Sequence, residues 1–316
     1  MYNQLEFLNN LSYNESVDLL HLIREAEAAS ELKIVKRNAS LAFSIVAPKV
    51  PEKLLFSSEK NFANLPYMIH DVQRGIHVVR MIFAQIAHEK SFDGKIRSQD
   101  LVDDGIVVLT DVLLQRDCER LLEEMRKFPL ATSKNSTNLI TSNLNNPVIH
   151  SAYREINSQL AAVMGGDYPM FFQNAFIQRL ENRVGDGDVQ KYLHSDTFFP
   201  AYKFWYFPHD VYREDGPFSY VPKSNRLTKP LLEWYYRQSI EVVSGNDAGR
   251  TYGHAEGSFR IFEDELESLG LKEVPASVPG DTLVIANVLG FHRRSEVKTV
   301  GYRDAIHSSY RRNPLE

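Results

Sequence analysis

The chain has 316 residues, 43% of them hydrophobic and 24% charged, the composition of a globular protein able to bury a sizeable core in one or two domains. Its formal net charge is -5 and its Lys and Arg residues are scattered, which excludes the basic stripe of a nucleic-acid binder. Cys118 is the only cysteine, so neither an internal disulfide nor a cysteine-rich zinc site is possible, and a reducing cytoplasmic compartment is expected.

The N-terminus lacks a basic segment followed by an apolar one, and no run of about 18 apolar residues occurs anywhere, so neither a leader nor a membrane span is expected. Three Asn-x-Ser/Thr sequons, at Asn14, Asn38 and Asn135, are read as accidental in such a chain.

The first hundred residues read as helical. Apolar residues recur at helical spacing through Val17, Leu19, Leu20, Leu22 and Ile23. A second stripe runs from Met68 to Ala87 and stops near Lys90 to Gly94, with a proline-containing loop from Ala47 to Pro51 between the two. The expected arrangement is a helical extension, residues 1–95, packed on a core formed by 96–316.

The stretch Asp104 to Leu109 reads as a short strand entered from a turn, and Gln115 to Phe128 as a helix. From Phe171 onward, short β-branched and aromatic runs alternate with Gly, Pro, Asn and Asp clusters. Phe198 to Phe207, Phe218 to Val221 and Thr282 to Val288 are the clearest strands. Residues Leu227 to Gly257 interrupt them with a helix over Leu231 to Val243 and a Gly-rich loop. The expected fold is mainly β with flanking helices: a double-stranded β-helix, or cupin-like jelly roll, with a helical N-terminal extension.

The candidate chemistry starts at His194-Ser195-Asp196. Residues two apart on an extended chain face the same way, so the imidazole and the carboxylate can grip one ion. That donor pair suits divalent iron, and one more histidine completes a two-His-one-carboxylate triad with open positions. Gly280 to Asn287 reads as a turn feeding an apolar strand, and Gly290-Phe291-His292 follows, making His292 the third metal ligand and, with His194 and Asp196, a catalytic residue. Eleven residues after His292 comes Arg303, in a segment that reads as the return strand of a hairpin. Its planar guanidinium can take both oxygens of a carboxylate, as for the distal end of 2-oxoglutarate.

Other assignments compete. His254-Ala255-Glu256 is a second His-x-carboxylate, set among glycines in a loop, and His307 is a rival distal ligand. His209 and Asp210, being adjacent, would face opposite ways on a strand. Arg293 and Arg294 compete with Arg303 for the anion or else read as a solvated loop, and spacing favours Arg303. Lys203 and Trp205 share a strand face and either line the pocket or simply pack; Asn174, Gln178 and Arg179 lie on an earlier candidate strand within reach of co-substrate or substrate.

The order of these motifs resembles that of the phytanoyl-CoA dioxygenase-like family of iron and 2-oxoglutarate enzymes. The resemblance rests on Asp104 to Leu109 followed by a helix, on His194-Ser195-Asp196, on Gly216 to Arg226, and on Gly280 through His292 to Arg303. It spans about two hundred residues, and departs from the family at Lys223-Ser224-Asn225, where Gly-Ser-His is common. The resemblance implies Fe(2+) on His194, Asp196 and His292, 2-oxoglutarate as co-substrate on Arg303, and O2 as oxidant; Lys203 and Asn174, from their strand positions, are expected as further co-substrate contacts. It also implies a hydroxylase acting on a small molecule, since the intact Asp196 differs from the small residue of related halogenases. A 2-oxoglutarate-independent cupin-like enzyme and a non-catalytic binding protein are the alternatives. The first keeps the triad but leaves Arg303 without a purpose; the second predicts no oxygen-dependent turnover with any substrate.

Overall fold

In the computed structural model the described residues are 1–48, 50, 69–92, 96–132, 138–141, 146–165, 175–182, 189–244, 259–299 and 301–316. Helix α1 (Tyr13–Ala28) opens with a capping box: the Ser12 hydroxyl accepts from the Glu15 amide, and the Glu15 carboxylate accepts from the Ser12 amide. Helix α2 (Leu32–Val46) buries Val35, Ala39, Ala42, Phe43 and Val46, one stripe at three-to-four spacing.

The stripe expected as one element from residue 68 to 87 is two helices, α3 (Ile69–Gln73) and α4 (Ile76–Phe92). Gly75 separates them with φ 83°, a left-handed conformation, and the ring of Phe7 lies where a Cβ would project. The break is therefore built around a glycine that the helical periodicity hides.

Short α5 (Gln99–Asp103) leads into β1 (Ile106–Leu109), and α6 (Gln115–Lys127) matches the expected helix. Next come β2 (Ala131–Thr132), β3 (Asn138–Thr141), α7 (Pro147–Met164) and β4 (Phe176–Asn182). Helix α7 starts from an Asn146 cap, whose side-chain oxygen accepts from the Val148 and Ile149 amides, and ends at Gly165 in the left-handed region. Then follow β5 (Tyr202–Phe207), β6 (Phe218–Tyr220), α8 (Lys229–Ser244), α9 (Glu263–Ser268), β7 (Val274–Pro275), β8 (Thr282–Asn287), β9 (His292–Arg294) and β10 (Gly301–Tyr310).

The strands form two antiparallel sheets, one in the order β1-β8-β5-β10-β4-β3-β2 and a smaller one in the order β7-β6-β9. Both faces of the large sheet are covered, which is why β5 and β8 read as nearly unbroken apolar runs. On one face Tyr202, Phe204, Tyr206, Leu283, Ile285 and Ile306 pack with Leu121, Met125, Ile156 and Leu160 of α6 and α7. On the other, Trp205, Val284, Ala286 and Ala305 join Phe218 and Tyr220 of the small sheet. This second cluster continues without a break into Ile23, Phe43, Ile82 and Phe83 of the N-terminal helices.

The expected hairpin partner of β10 is not found. Strand β10 pairs with β4 and β5, while His292 and the two arginines after it leave the large sheet to pair with β6. Past β9 the Ser295 amide donates to the Pro217 carbonyl at 2.8 Å, continuing the pairing with the β6 edge before the chain enters β10. Strand partners are chosen by contacts far apart in sequence, which local alternation does not encode.

Candidate metal centre

His194 and Asp196 do not lie on a regular strand. His194 forms an isolated antiparallel bridge with His292, through reciprocal amide-to-carbonyl hydrogen bonds of 3.0 and 2.9 Å, and a second bridge with Arg260. The Asp196 amide donates to the Val288 carbonyl at 2.9 Å. The His194 and Asp196 side chains nevertheless come to one side, and the bridge sets the third residue directly opposite the first.

All three side chains are buried, and one ligand atom from each lies within 4.8 Å of the others. Asp196 Oδ1 is 3.5 Å from His194 Nε2 and 3.7 Å from His292 Nε2. Each ring is oriented by a backbone carbonyl, Tyr192 at 2.8 Å and Gly290 at 3.0 Å from the respective Nδ1. A carbonyl only accepts, so Nδ1 carries the proton and the lone pair sits on Nε2. Both Nε2 atoms are buried and have no hydrogen-bond partner among the described residues.

Burial holds both imidazoles below their ordinary pKa, keeping them neutral. Burial opposes ionisation of Asp196, but the Lys203 ammonium, with the Arg311 guanidinium beside it, outweighs burial and holds the carboxyl well below the usual carboxylate range. Two neutral nitrogens and one carboxylate oxygen converging on a buried point fit a divalent transition metal.

Beside this point lies a cavity of about 220 Å³, lined in part by His292 itself. Arg303, Arg294 and Lys203 face it together with Gln178, Trp205, Phe218 and His307, and among the described residues no carboxylate lines it. Arg303 is buried, donates to the Gly216 carbonyl, and has its guanidinium pushed down to about 9 by burial and by Arg294, which leaves it charged at neutral pH. The odd-numbered residues of β10 and β5 share this sheet face: His307 opposes Trp205 and Ser309 opposes Lys203.

Several sequence expectations need correction. Arg294 is not in a solvated loop but buried on β9 against the cavity, and Arg293 is held by a two-point ion pair with Glu273 at 2.7 and 2.6 Å. Arg179, on the face opposite Gln178, pairs with Asp304 at 2.6 Å and points away from the cavity. His307 lines the cavity but stacks on Phe176 at 4.8 Å and stands outside the triad. His209 accepts from the Asp304 amide through Nε2 at 3.0 Å. Asn174, His254 and Glu256 lie outside the described residues.

Lys203 lines the cavity, and its ammonium lies 2.6 Å from Asp196 Oδ2, so its first partner is the metal carboxylate. Arg311, also ion-paired with Asp196, is missed by sequence reasoning. The available signal was parity: Arg311 continues the odd-numbered series of Arg303 and His307 past the end of β10.

No family model matches the chain, and no curated protein matches it. Among solved structures the chain is similar to the epimerase SnoN in complex with Fe3+, alpha ketoglutarate and nogalamycin RO (16% identity, 67% of this chain and 80% of that one, TM-score 0.46). It is also similar to HygX from Streptomyces hygroscopicus with nickel and 2-oxoglutarate bound (15%, 66% and 84%, TM-score 0.40). A third is the alpha ketoglutarate dependent carbocyclase SnoK from nogalamycin biosynthesis (16%, 69% and 83%, TM-score 0.39).

Proposed function

We propose that the chain is a non-haem iron oxygenase with 2-oxoglutarate as co-substrate. The observation that carries this reading is a pair of sites sharing one wall: three converging metal donors, and beside them a small cavity whose described charged lining is wholly cationic. A metal ligand set alone fits many proteins. A buried cationic cavity opening on that set calls for a small dianion able to reach the metal, and a keto acid with a distal carboxylate has that form.

Within this reading His194, Asp196 and His292 hold Fe(2+), and the two sheets form a double-stranded β-helix of the phytanoyl-CoA dioxygenase-like type. Residues 96–316 are the catalytic domain and 1–95 a helical extension packed on it. When bound, iron and 2-oxoglutarate supply an oxidant from O2 by oxidative decarboxylation to succinate and CO2. Arg303 fixes the distal carboxylate, with Arg294 as a neighbouring positive charge. Trp205 and Phe218 supply the apolar part of the cavity wall that would pack against the diacid's methylenes. The cavity of about 220 Å³ falls below the roughly 300–1,000 Å³ of typical ligand pockets, so it suits the co-substrate rather than a metabolite to be hydroxylated.

The substrate within this reading is a small molecule. No described helix is long and apolar enough to cross a membrane, and the single cysteine supports a cytoplasmic setting.

The test is succinate release from 2-oxoglutarate by the iron-loaded protein without added substrate, the slow uncoupled reaction of such a site. Succinate that depends on iron and disappears in His194→Ala supports the proposal. Iron binding with no 2-oxoglutarate turnover or binding would overturn it in favour of a 2-oxoglutarate-independent metalloprotein.

A further inference from the structure

The two oxygens of Asp196 have different surroundings. Oδ1 faces the two imidazole nitrogens at 3.5 and 3.7 Å. Oδ2 faces the other way, 2.6 Å from the Lys203 ammonium and in contact with the Arg311 guanidinium. Lys203 reaches it from the centre of the large sheet. Arg311 reaches it from the segment that follows β10.

That segment is anchored. Asn313 and Leu315 are buried, the Leu315 amide donates to Asn313 Oδ1 at 3.1 Å, and Leu315 belongs to the core cluster shared with the N-terminal helices. Lys36 of α2 donates to the Glu316 carbonyl at 2.7 Å. The segment that carries the Arg311 guanidinium is therefore packed on the core cluster and hydrogen-bonded to α2.

We propose that Lys203 and Arg311 are positioning residues that confine Asp196 to metal ligation through Oδ1 alone, by occupying Oδ2 with two ion pairs. The consequence is a matter of coordination number. An octahedral ion held by three protein atoms keeps about three positions for other ligands, and a chelating keto acid together with an oxidant needs all of them. A carboxylate free to turn and bind through both oxygens takes one of these away. This inference rests on the metal-site reading above, and it assigns the C-terminal segment and, through Lys36, helix α2 a part in keeping the metal open.

The experiment is water-proton relaxation of the full-length protein loaded with Mn(II), which counts exchangeable water ligands and needs neither 2-oxoglutarate nor turnover. Metal affinity is read in parallel by electron paramagnetic resonance of free Mn(II). The variants are Arg311→Met, Lys203→Met, the double variant and Arg311→Lys. With both cations gone, the bound-water contribution should fall by about one third, from roughly three waters to two, while Mn(II) still binds. Arg311→Lys should keep the wild-type value.

An unchanged water count in the double variant overturns the proposal, as does loss of Mn(II) binding in a variant that keeps the wild-type melting temperature. Should the double variant not fold, Arg311→Met decides alone, because Arg311 is the more exposed partner: a partial fall restored in Arg311→Lys supports the proposal, and no fall overturns it. A wild-type protein that binds no Mn(II), Fe(II) or Co(II) would instead refute the metal-site reading itself.

Discussion

His88, on α4, is 6% exposed, and its Nε2 lies 2.9 Å from the Tyr202 hydroxyl. Burial pushes its imidazole down from 6.5 to about 3. A histidine whose folded pKa is depressed stays neutral in the native state while the unfolded chain takes up a proton. Its contribution to stability is therefore intact above about pH 6.5 and is lost as the pH falls toward 3. Each pH unit in that window costs about 1.4 kcal/mol, so lowering the pH to 5 costs about 2 kcal/mol from this residue. His77, also held at about 3 by burial, adds to the wild-type loss. His88→Gln keeps a polar partner for Tyr202 and removes the titration. Urea unfolding of metal-free wild type and His88→Gln, followed by circular dichroism at pH 7 and pH 5, should show the variant losing about 2 kcal/mol less than wild type between the two pH values. An equal loss in both proteins would refute the claim that His88 is buried neutral.

Phe291, fully buried and packed against Trp234 with ring centroids 5.1 Å apart, couples α8 to the strand that follows, so Phe291→Ala should cost about 3–5 kcal/mol in urea unfolding; a cost below about 1 kcal/mol would contradict that packing. Asp281, at φ 58°, accepts from the Leu113 amide at 2.9 Å and from the Tyr206 hydroxyl at 2.7 Å. Asp281→Ala strands both donors and should cost about 2–3 kcal/mol, whereas Asp281→Asn retains an acceptor and the left-handed backbone and should cost far less. Arg303→Ala should raise the KM for 2-oxoglutarate in succinate formation by about 10²-fold or more, the effect of removing one partner of a buried charge pair, and Arg303→Lys should recover part of it. An unchanged KM would remove Arg303 from the co-substrate site.

The grouping of His194 and Asp196 was legible because its signal is local: side chains two apart on a chain running near-extended come to one side, whether or not a full strand forms. Strands β5, β6 and β8 and helix α6 were legible for the same reason, with ends within a few residues of those expected. What local pattern hides is partnership. Arg303 was found, but on a strand paired with β4 and β5 rather than in a hairpin, and Arg294 was taken for a loop residue because burial of an arginine depends on the sheet that folds over it. Lys203 was expected to serve the co-substrate; it lines the cavity and is also ion-paired with Asp196, a contact between residues that local pattern does not relate. The division between α3 and α4 was marked by Gly75 in plain sight, but the apolar stripe continues through it, and periodicity does not report a positive φ.

The most direct measurement is anaerobic titration of the metal-free protein with ferrous iron and then 2-oxoglutarate, following the weak visible metal-to-ligand charge-transfer band of the chelated keto acid. The account predicts a band that saturates at one 2-oxoglutarate per iron, is absent in His194→Ala, and needs far more co-substrate in Arg303→Ala. Iron bound at His194, Asp196 and His292 with no band at any 2-oxoglutarate concentration would contradict it.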